Sequence, residues 1–315
     1  MKVLITGGAG FIGAYVAKAL AERGDDVVIV DNFSDLVYGA DLKRRRLAEL
    51  VGKGARLIEG SILDAAVLDE AMKNGVDVVL HLAAHANPKT SLDNSFEYTR
   101  VNVDGTLSVL EATRRHGVNR VVLAGSSSVY NDEQVPFKED SYPLKPKSPY
   151  GASKAAAEVY CQMWHELYGT KITVLRFFSV YGPWGRPDMA PMIFAERILK
   201  GEVLEVNVDE RQRDLTYIDD VVPAVLAALD TELDFEVLNI GRGEPVVIRE
   251  LVSLLERAAE KKAQVKDRPT PPGEMKITFA NIDKAKDLLG YEPKISVDEG
   301  AKKFVIWLKN YLASK

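Results

Sequence analysis

The sequence has little of what marks secreted, membrane-spanning or nucleic-acid-binding proteins. Its single cysteine, Cys161, excludes an intrachain disulfide framework and is typical of a reducing compartment. No apolar run approaches the ~18 residues of a membrane-spanning helix, and the first residues indicate a strand rather than a cleavable signal. The net charge of −5 offers no basic field to nucleic acid. We therefore expect a cytoplasmic protein that has neither a membrane nor nucleic acid as a partner. Basic clusters exist, and we interpret a run such as Lys43–Arg46 as a solvated helix face.

Short β-branched runs alternate with amphipathic stretches along the first half of the chain. The amphipathic stretch Phe11–Arg23 separates the first two runs and ends at Gly24. Alternation of this kind predicts an α/β fold with a doubly wound parallel sheet. The runs that we interpret as buried parallel strands cover residues 3–5, 27–30, 56–58, 78–80, 121–123 and 172–175.

A glycine-rich loop follows the first predicted strand and opens the first predicted helix. Gly7 permits a tight turn, Gly10 lets the backbone approach a pyrophosphate, and Gly13 permits close packing of helix on strand. Phe11 and Ile12 begin the helix, whose N-terminus offers free N–H groups to phosphates. This context favours a dinucleotide site of the Rossmann type over an ordinary glycine turn.

The second predicted strand ends in Asp31, and Asn32 and Phe33 follow it. A carboxylate at this position accepts hydrogen bonds from the adenosine ribose and repels a 2′-phosphate. Because no arginine follows directly, the pattern favours NAD over NADP as the cofactor. The alternative is that Asp31 only caps a loop.

Tyr150 and Lys154 stand four residues apart at the start of a predicted helix. Ser148 suits the N-cap and Pro149 the first helical position, so the two side chains share one face. A free tyrosine ionises near pH 10, and burial raises that pKa further. Tyr150 can therefore act as a base only beside positive charge, which we expect from Lys154 and from the nicotinamide ring of NAD⁺. The alternative is a surface Tyr–Lys pair.

Three serines follow the predicted strand at residues 121–123. Ser126, Ser127 and Ser128 are thereby expected at the carboxyl edge of the sheet, where open α/β sheets bind their ligands. A hydroxyl at this edge can hydrogen-bond the reacting oxygen of a substrate. Alternatively, Ser127 and Ser128 form a polar turn.

Prolines become frequent after Arg176, and the helical stretches become short. We predict a Rossmann domain over residues 1–176 and a smaller C-terminal substrate-binding region over residues 177–315. Residues 212–245 are expected to return to the first domain. The smaller region would cover the carboxyl ends of the parallel strands.

Together these motifs resemble the extended short-chain dehydrogenase/reductase family, which includes the NAD-dependent epimerases and dehydratases, over nearly the whole chain. Further segments that fit the pattern lie at residues 81–84, 101–106, 213–221 and 288–291. The resemblance implies that Tyr150 is the catalytic base, Lys154 its helper and Ser126 the catalytic hydroxyl. It implies that the remaining cofactor contacts come from Asn32, Ser61, Ile62, Leu82, Ala83, Ala84, Asn102 and Phe177.

Within this family the chain most resembles UDP-glucuronate 4-epimerases, on residues 31–35, 41–44 and 177–190. The resemblance implies epimerisation of a UDP-sugar at C4 through a 4-keto intermediate. Most 4-epimerases of neutral sugars lack the segment 182–190, and a planar guanidinium can bind a carboxylate bidentately. We therefore hypothesise that Arg186 recognises the glucuronate carboxylate; the alternative is a loop or dimer salt bridge. The expected substrate contacts are Ser127, Ser128, Ser179, Arg186, Val206, Arg213 and Arg268.

Several positions depart from the family pattern. Ser61 replaces an aspartate that follows the third strand, Asn207 opens a motif that usually begins with glycine, and Pro271 replaces a basic residue that holds the diphosphate. We expect Arg268 or Arg213 to take over the diphosphate contact.

Other functions stay open from the sequence. They are 4-epimerisation of UDP-glucose, UDP-galactose or an N-acetylhexosamine, a decarboxylase, dehydratase or net dehydrogenase activity, and a non-catalytic NAD-binding regulator. The intact Ser126, Tyr150 and Lys154 argue against the regulator. The motifs require no metal ion. The resemblance also implies a homodimer built on two predicted helices at residues 95–116 and 149–168.

Overall fold

A computed structural model describes residues 1–131, 134–208, 210–270 and 275–314. Its strands are β1 (Lys2–Thr6), β2 (Asp26–Asp31), β3 (Arg56–Glu59), β4 (Val78–His81), β5 (Arg120–Ser126), β6 (Lys171–Phe177), β7 (Ser179–Tyr181), β8 (Val203–Asn207), β9 (Gln212–Tyr217), β10 (Phe235–Ile240), β11 (Pro245–Val247) and β12 (Gln264–Arg268). Its helices are α1 (Phe11–Arg23), α2 (Ala40–Leu50), α3 (Ala65–Met72), α4 (Pro88–Asp93), α5 (Ser95–Thr99), α6 (Gly105–Arg115), α7 (Pro149–Tyr168), α8 (Ala190–Lys200), α9 (Ile218–Asp230), α10 (Ile248–Ala259), α11 (Asp283–Leu289) and α12 (Val297–Ala313).

Within the described residues the larger sheet has seven strands, in the order β10-β6-β5-β4-β1-β2-β3. All of its neighbouring strands are parallel. The order reverses between β1 and β4, so a crevice opens at their carboxyl ends, where such sheets bind ligands. Each predicted strand lies in this sheet, and the predicted α/β, doubly wound parallel fold is confirmed.

Local signals in the sequence place the two helices that border this crevice. Helix α1 ends at Gly24, which takes the left-handed conformation with φ 89°. Helix α7 begins as predicted, with Pro149 at its first position and with the Ser148 hydroxyl accepting from the amide of Gly151 at 3.1 Å. The cap at Ser148 fixes the first turn of α7, which contains Tyr150.

A smaller region covers the carboxyl ends of the strands. It contains the sheet β11-β9-β7 and the parallel pair β12-β8. The segment 212–245, which we expected to return to the first domain, contributes strands both to the large sheet and to the sheet β11-β9-β7. Strand β9 pairs in the small sheet, whereas α9 packs on α1 and β10 joins the large sheet beside β6.

The predicted helix at residues 95–116 is interrupted. Helices α5 and α6 flank a π-helical turn at Arg100–Asp104, which contains Asn102. Turns of this kind are rare and are frequent at functional sites. No feature of the hydrophobic spacing distinguishes this turn from α-helix.

A buried ion pair joins α7 to the sheet. Arg176 of β6 is fully buried, and its Nη2 lies 2.7 Å from Oε2 of Glu158 on α7. The pair leaves no room for a side chain at position 125, since a Cβ on Gly125 would lie 3.0 Å from Oε1 of Glu158. Buried charges are tolerated when they are paired in this way.

The interpretation of Lys43–Arg46 as a solvated helix face is wrong for Arg46. This side chain lies on the inner face of α2 and is fully buried. Its guanidinium donates to the carbonyls of Trp184, at 2.8 Å, and Ala9, at 3.0 Å. Those two acceptors, distant in sequence, explain why a charge is retained in the interior.

None of the helices in the described parts of the chain is long and apolar enough to cross a membrane.

Candidate active site

One cavity of about 950 Å³ lies between the carboxyl ends of the large sheet and the smaller region. Of the residues that the sequence predicted for the site, only Asn102 does not line it. The others are Gly7, Gly10, Phe11, Ile12, Gly13, Asp31, Asn32, Ser61, Ile62, Leu82, Ala83, Ala84, Ser126, Ser127, Ser128, Tyr150, Lys154, Phe177, Ser179, Arg186, Val206, Arg213 and Arg268.

The glycine loop leaves no room for larger residues. Gly7 has φ 74°, and a Cβ on it would lie 2.6 Å from the backbone nitrogen of Ala83. A Cβ on Gly13 would lie 2.5 Å from the carbonyl oxygen of Gly7, so Gly13 lets the helix pack on the loop itself rather than on a strand. Among the described residues, no side chain caps α1 at Gly10. An open helix N-terminus over a tight glycine cradle fits a dinucleotide pyrophosphate.

Asp31 shapes the loop and faces the cavity at the same time. Its Oδ2 accepts from the amide of Ala9 at 2.9 Å, and its Oδ1 accepts from the amide of Phe33 at 2.8 Å. Burial raises the pKa of Asp31, while these amides and the charges of Lys43 and Arg46 oppose the rise. Each carboxylate oxygen has further acceptor capacity, so loop capping and ribose recognition are compatible.

Asn102 supports the site from outside the cavity, unlike the direct cofactor contact that we expected. Its amide oxygen accepts from the backbone N–H of His85 at 2.8 Å, and its amide nitrogen donates to the carbonyl of His85 at 2.9 Å. The same nitrogen donates to Oγ of Ser153 at 2.9 Å, which in turn donates to the carbonyl of Tyr150. Because these bonds engage both ends of the amide, Asn102 joins the loop after β4 to the first turn of α7.

The phenol of Tyr150 is buried at the start of α7. Burial raises its pKa, and hydrogen bonding with Ser126 and the positive charge of Arg186 lower it. Arg186 therefore supplies charge that the sequence assigned to Lys154. The Lys154 ammonium lies against the end of β5 and donates to the carbonyl of Ala124 at 2.8 Å.

Lys154 is buried, and burial lowers its pKa to about 8. The carboxylate of Glu158, one helical turn further along α7, opposes this change. Glu158 is also the partner of Arg176. One carboxylate thus stabilises the charged form of Lys154 and balances a second buried cation.

The serine run lies opposite Tyr150, at the end of β5. Oγ of Ser126 accepts from the amide of Ser128 at 3.1 Å and thereby caps a short 3₁₀ turn at Ser127–Val129. The three hydroxyls line the cavity beside Ser179. The polar turn and the array of hydroxyls, which the sequence presented as alternatives, are both present.

Arg186 is held by a carboxylate of its own segment. Its Nε lies 3.0 Å from Oδ1 of Asp188, and its Nη2 lies 2.6 Å from Oδ2. Oδ2 of Asp188 also accepts from the side-chain amide Nδ2 of Asn87 at 2.6 Å. The loop salt bridge that we weighed as an alternative therefore exists, and a guanidinium has further N–H donors. Asn87 and Asp188 line the cavity, although sequence reasoning did not assign them to the site.

Three arginines line the cavity at the strands of the smaller region. Arg213 and Arg268 were predicted there; Arg211, on the same side of the cavity, was not. Nε of Arg268 donates to Oδ1 of Asn207 at 2.8 Å. Pro271, the departure noted above, lies outside the described residues. The sequence signal for Arg211 was its place before the motif that starts at Arg213.

Ser61 makes a local turn, in which its Oγ accepts from the amide of Leu63 at 3.2 Å. It lines the cavity beside Ile62 at the end of β3. The substitution of aspartate by serine therefore leaves a hydroxyl at the position where the family has a carboxylate.

Comparisons with known proteins place the chain. Residues 3–241 match the NAD dependent epimerase/dehydratase family. A UDP-glucuronate 4-epimerase of Thermodesulfobacterium geofontis is 40% identical over 310 residues, which are 97% of this chain and 95% of that protein. The structure of the UDP-glucuronic acid 4-epimerase of Bacillus cereus with UDP-glucuronic acid and NAD is similar, with TM-score 0.93, 35% identity and coverage of 99% of this chain and 100% of that chain. A UDP-glucose 4-epimerase of Thermotoga maritima with UDP-glucose has TM-score 0.91, 34% identity and coverage of 99% and 100%. The chain belongs to the NAD dependent epimerase/dehydratase family.

Proposed function

We propose that this protein is an NAD-dependent 4-epimerase that interconverts UDP-glucuronate and UDP-galacturonate. The observation that carries the proposal is the position of Arg186, which lines the cavity and lowers the pKa of the buried Tyr150. In a uronate the carboxylate is attached to C5, next to the reacting C4. A cation beside the base suits a substrate whose negative group lies beside the reacting carbon.

The residues of the site fit NAD. The glycine loop and the N-terminus of α1 would hold the pyrophosphate, and Asp31 and Asn32 the adenosine ribose. When bound, NAD would supply the acceptor and then the donor of the C4 hydride and would be regenerated in each turnover. The adenine and nicotinamide ends would lie against Ser61, Ile62, Leu82, Ala83, Ala84 and Phe177.

Side chains of the protein transfer the proton of the C4 hydroxyl. Tyr150 takes the proton of the C4 hydroxyl, and Ser126 hydrogen-bonds that oxygen and the phenol. Lys154 lies one turn further along α7, where its ammonium donates to the carbonyl of Ala124 and Glu158 favours its charged form. After the 4-keto sugar has turned to present its other face, Tyr150 returns the proton to the C4 oxygen. A phenol that gives and takes one proton in this way acts as both base and acid.

Recognition of the substrate is divided between the two ends of the cavity. Ser127, Ser128 and Ser179 supply hydroxyls near C4, and Arg186 supplies charge for the carboxylate. At the far end, Arg211, Arg213 and Arg268 provide a cationic site for the diphosphate, beside the buried Val206 of β8. Guanidinium groups suit both carboxylate and phosphate.

A second candidate is a 4-epimerase of neutral UDP-sugars. The observation in its favour is that the Thermotoga maritima UDP-glucose 4-epimerase is about as similar as the Bacillus cereus enzyme, at 34% against 35% identity. Overall similarity therefore does not select the sugar. The segment 182–190 and its Arg186 are the basis on which we favour the uronate.

We also place the protein in the cytoplasm. Its single cysteine, Cys161, is a free thiol that is buried between α7 and the sheet. A buried thiol without a disulfide is compatible with a reducing compartment.

A panel of UDP-sugars tests the reaction. Purified protein incubated without added NAD should convert UDP-glucuronate to UDP-galacturonate, observed by NMR, because regenerated cofactor stays bound. Denaturation of the same sample should release NAD. Faster conversion of UDP-glucose than of UDP-glucuronate would favour the neutral-sugar enzyme. Bound NAD without conversion of any sugar would favour the non-catalytic regulator.

The Arg186→Gln variant tests recognition of the carboxylate. Loss of a charged hydrogen-bond donor should raise the KM for UDP-glucuronate about 10- to 100-fold, with a smaller effect on UDP-glucose. Steady-state kinetics on both sugars measure the difference. Arg257→Gln, at an exposed arginine of α10 paired with Asp298, is the matched control. A fall in kcat on both sugars is expected from the effect of Arg186 on Tyr150, but an equal rise in KM on both sugars would remove the assignment.

We further propose a homodimer built on α5 and α7. Phe96 is 91% exposed, and Val159 and Leu167 are 64% exposed on the stripe of α7 that also contains Met163. Helices α4 and α5 pack beside α7, so these exposed apolar side chains belong to neighbouring helices. Large exposed apolar patches mark interfaces, and by resemblance a second copy is the expected partner.

The Val159→Glu variant tests this dimer. Light scattering should give twice the mass of the chain for the wild type and the mass of one chain for Val159→Glu, because a buried unpaired carboxylate opposes association. Ile306→Glu, at an exposed apolar residue of α12, should leave the dimer intact. A wild-type protein that is monomeric at high concentration contradicts the proposal.

A further inference from the structure

We infer that Arg46 and Tyr15 are positioning residues, which hold the segment 182–190 and its Arg186 against the glycine loop. Both belong to the helices that follow β1 and β2, whereas the segment belongs to the smaller region. The inference rests on the proposed function, because that proposal assigns recognition of the sugar to Arg186.

Arg46 bridges the cofactor loop and the sugar segment. Its Nη1 donates to the carbonyl of Ala9 at 3.0 Å, and its Nε donates to the carbonyl of Trp184 at 2.8 Å. Nη1 also donates to the hydroxyl of Tyr38 at 3.2 Å. An apolar side chain of similar size could fill this space, but it could not join two carbonyls.

The guanidinium is retained at a cost. It is fully buried, and within the described residues its Nη2 has no hydrogen-bond partner. Burying an unsatisfied polar group is unfavourable. Because the charge is retained despite this cost, we assign to Arg46 the role of joining the carbonyls of Ala9 and Trp184.

Tyr15 makes a second, parallel connection. It lies on α1, four residues after Phe11, and its hydroxyl donates to the carbonyl of Pro183 at 2.9 Å. Consecutive carbonyls of the segment, those of Pro183 and Trp184, are therefore both held by side chains of the cofactor domain. Arg186 follows two residues later.

The segment needs such support because its backbone is strained. Trp184 has φ 60°, which is unusual for a residue with a side chain. Gly182 has φ 145°, and a Cβ there would lie 2.7 Å from Ile218. The Trp184 ring contacts the rings of Trp307 and Tyr311 of α12, with centroids 5.5 and 5.4 Å away. The bonds from Arg46 and Tyr15 hold the opposite, backbone side of this turn.

The arrangement couples the two halves of the site. Ala9 lies in the loop that cradles the pyrophosphate, and Asp31 accepts from its amide. The charge of Arg46 also opposes the rise in the pKa of Asp31. A change in the cofactor loop is thereby transmitted to the turn that presents Arg186 to the sugar.

The test compares Arg46→Met, which keeps most of the volume, with Arg46→Lys and Tyr15→Phe. Hydrogen exchange of the peptide that covers residues 182–190 is followed by mass spectrometry in the NAD-loaded protein. We expect exchange there to be about tenfold faster in Arg46→Met, which corresponds to about 1.4 kcal/mol. Arg46→Lys should recover part of the protection, and exchange of α7 should not change. Arg257→Met, at an exposed arginine of α10, is the control.

Kinetics provide the second readout. The ratio of kcat/KM for UDP-glucuronate to that for UDP-glucose should fall about tenfold in Arg46→Met and less in Tyr15→Phe. Unchanged exchange at residues 182–190, or an equal loss on both sugars, would overturn the inference. If Arg46→Met does not fold, the same exchange and kinetic measurements on Tyr15→Phe, which removes only one oxygen atom, test the inference. If the wild type does not convert UDP-glucuronate, the proposed function fails, and the exchange measurement alone still decides whether Arg46 holds the segment.

Discussion

The buried phenol of Tyr150 imposes the constraint on which the rest of the site depends. A tyrosine that must lose a proton is placed where burial raises its pKa, so neighbouring groups have to favour the phenolate. Ser126 does so through a hydrogen bond, and Arg186 does so through its charge. Lys154 lies one turn further along α7, against the carbonyl of Ala124, with Glu158 favouring its charged form. The cofactor ring is expected to add the remaining positive charge.

This constraint links chemistry to specificity, because the same guanidinium serves both. Arg186 lowers the pKa of the base and is the group to which we assign the carboxylate of the sugar. Its own position depends on Asp188 and, in our inference, on Arg46 and Tyr15. A 4-keto uronate is a β-keto acid that can lose CO₂. The site we propose must therefore complete the return of hydrogen to C4 before CO₂ is lost, and Asp188 already shares the charge of Arg186.

Much of the fold follows from local signals. The cap formed by Ser148 and Pro149 fixed the start of α7, and the alternating runs located the parallel strands. The features that could not be predicted depend on contacts between distant parts of the chain. Arg46 stands in a basic run that is typical of a solvated surface, and only the carbonyls of Ala9 and Trp184 explain its burial. Asn102 matched a motif, but a π-helical turn directs its amide to His85 rather than to the cavity. The effect of the Arg186 charge on the pKa of Tyr150 could not be predicted either, because the spacing of the two residues in the sequence does not show that they lie close together.

Titration of Tyr150 tests the central claim, that adjacent positive charge sets the ionisation of this phenol. The measurement is the ultraviolet absorbance of the phenolate as pH rises, taken as the difference between the wild type and Tyr150→Phe. It is made on protein loaded with NAD⁺ and on protein loaded with NADH, whose nicotinamide ring is neutral. The account predicts that Tyr150 ionises at lower pH with NAD⁺ than with NADH. The same titration pH in both forms would contradict it.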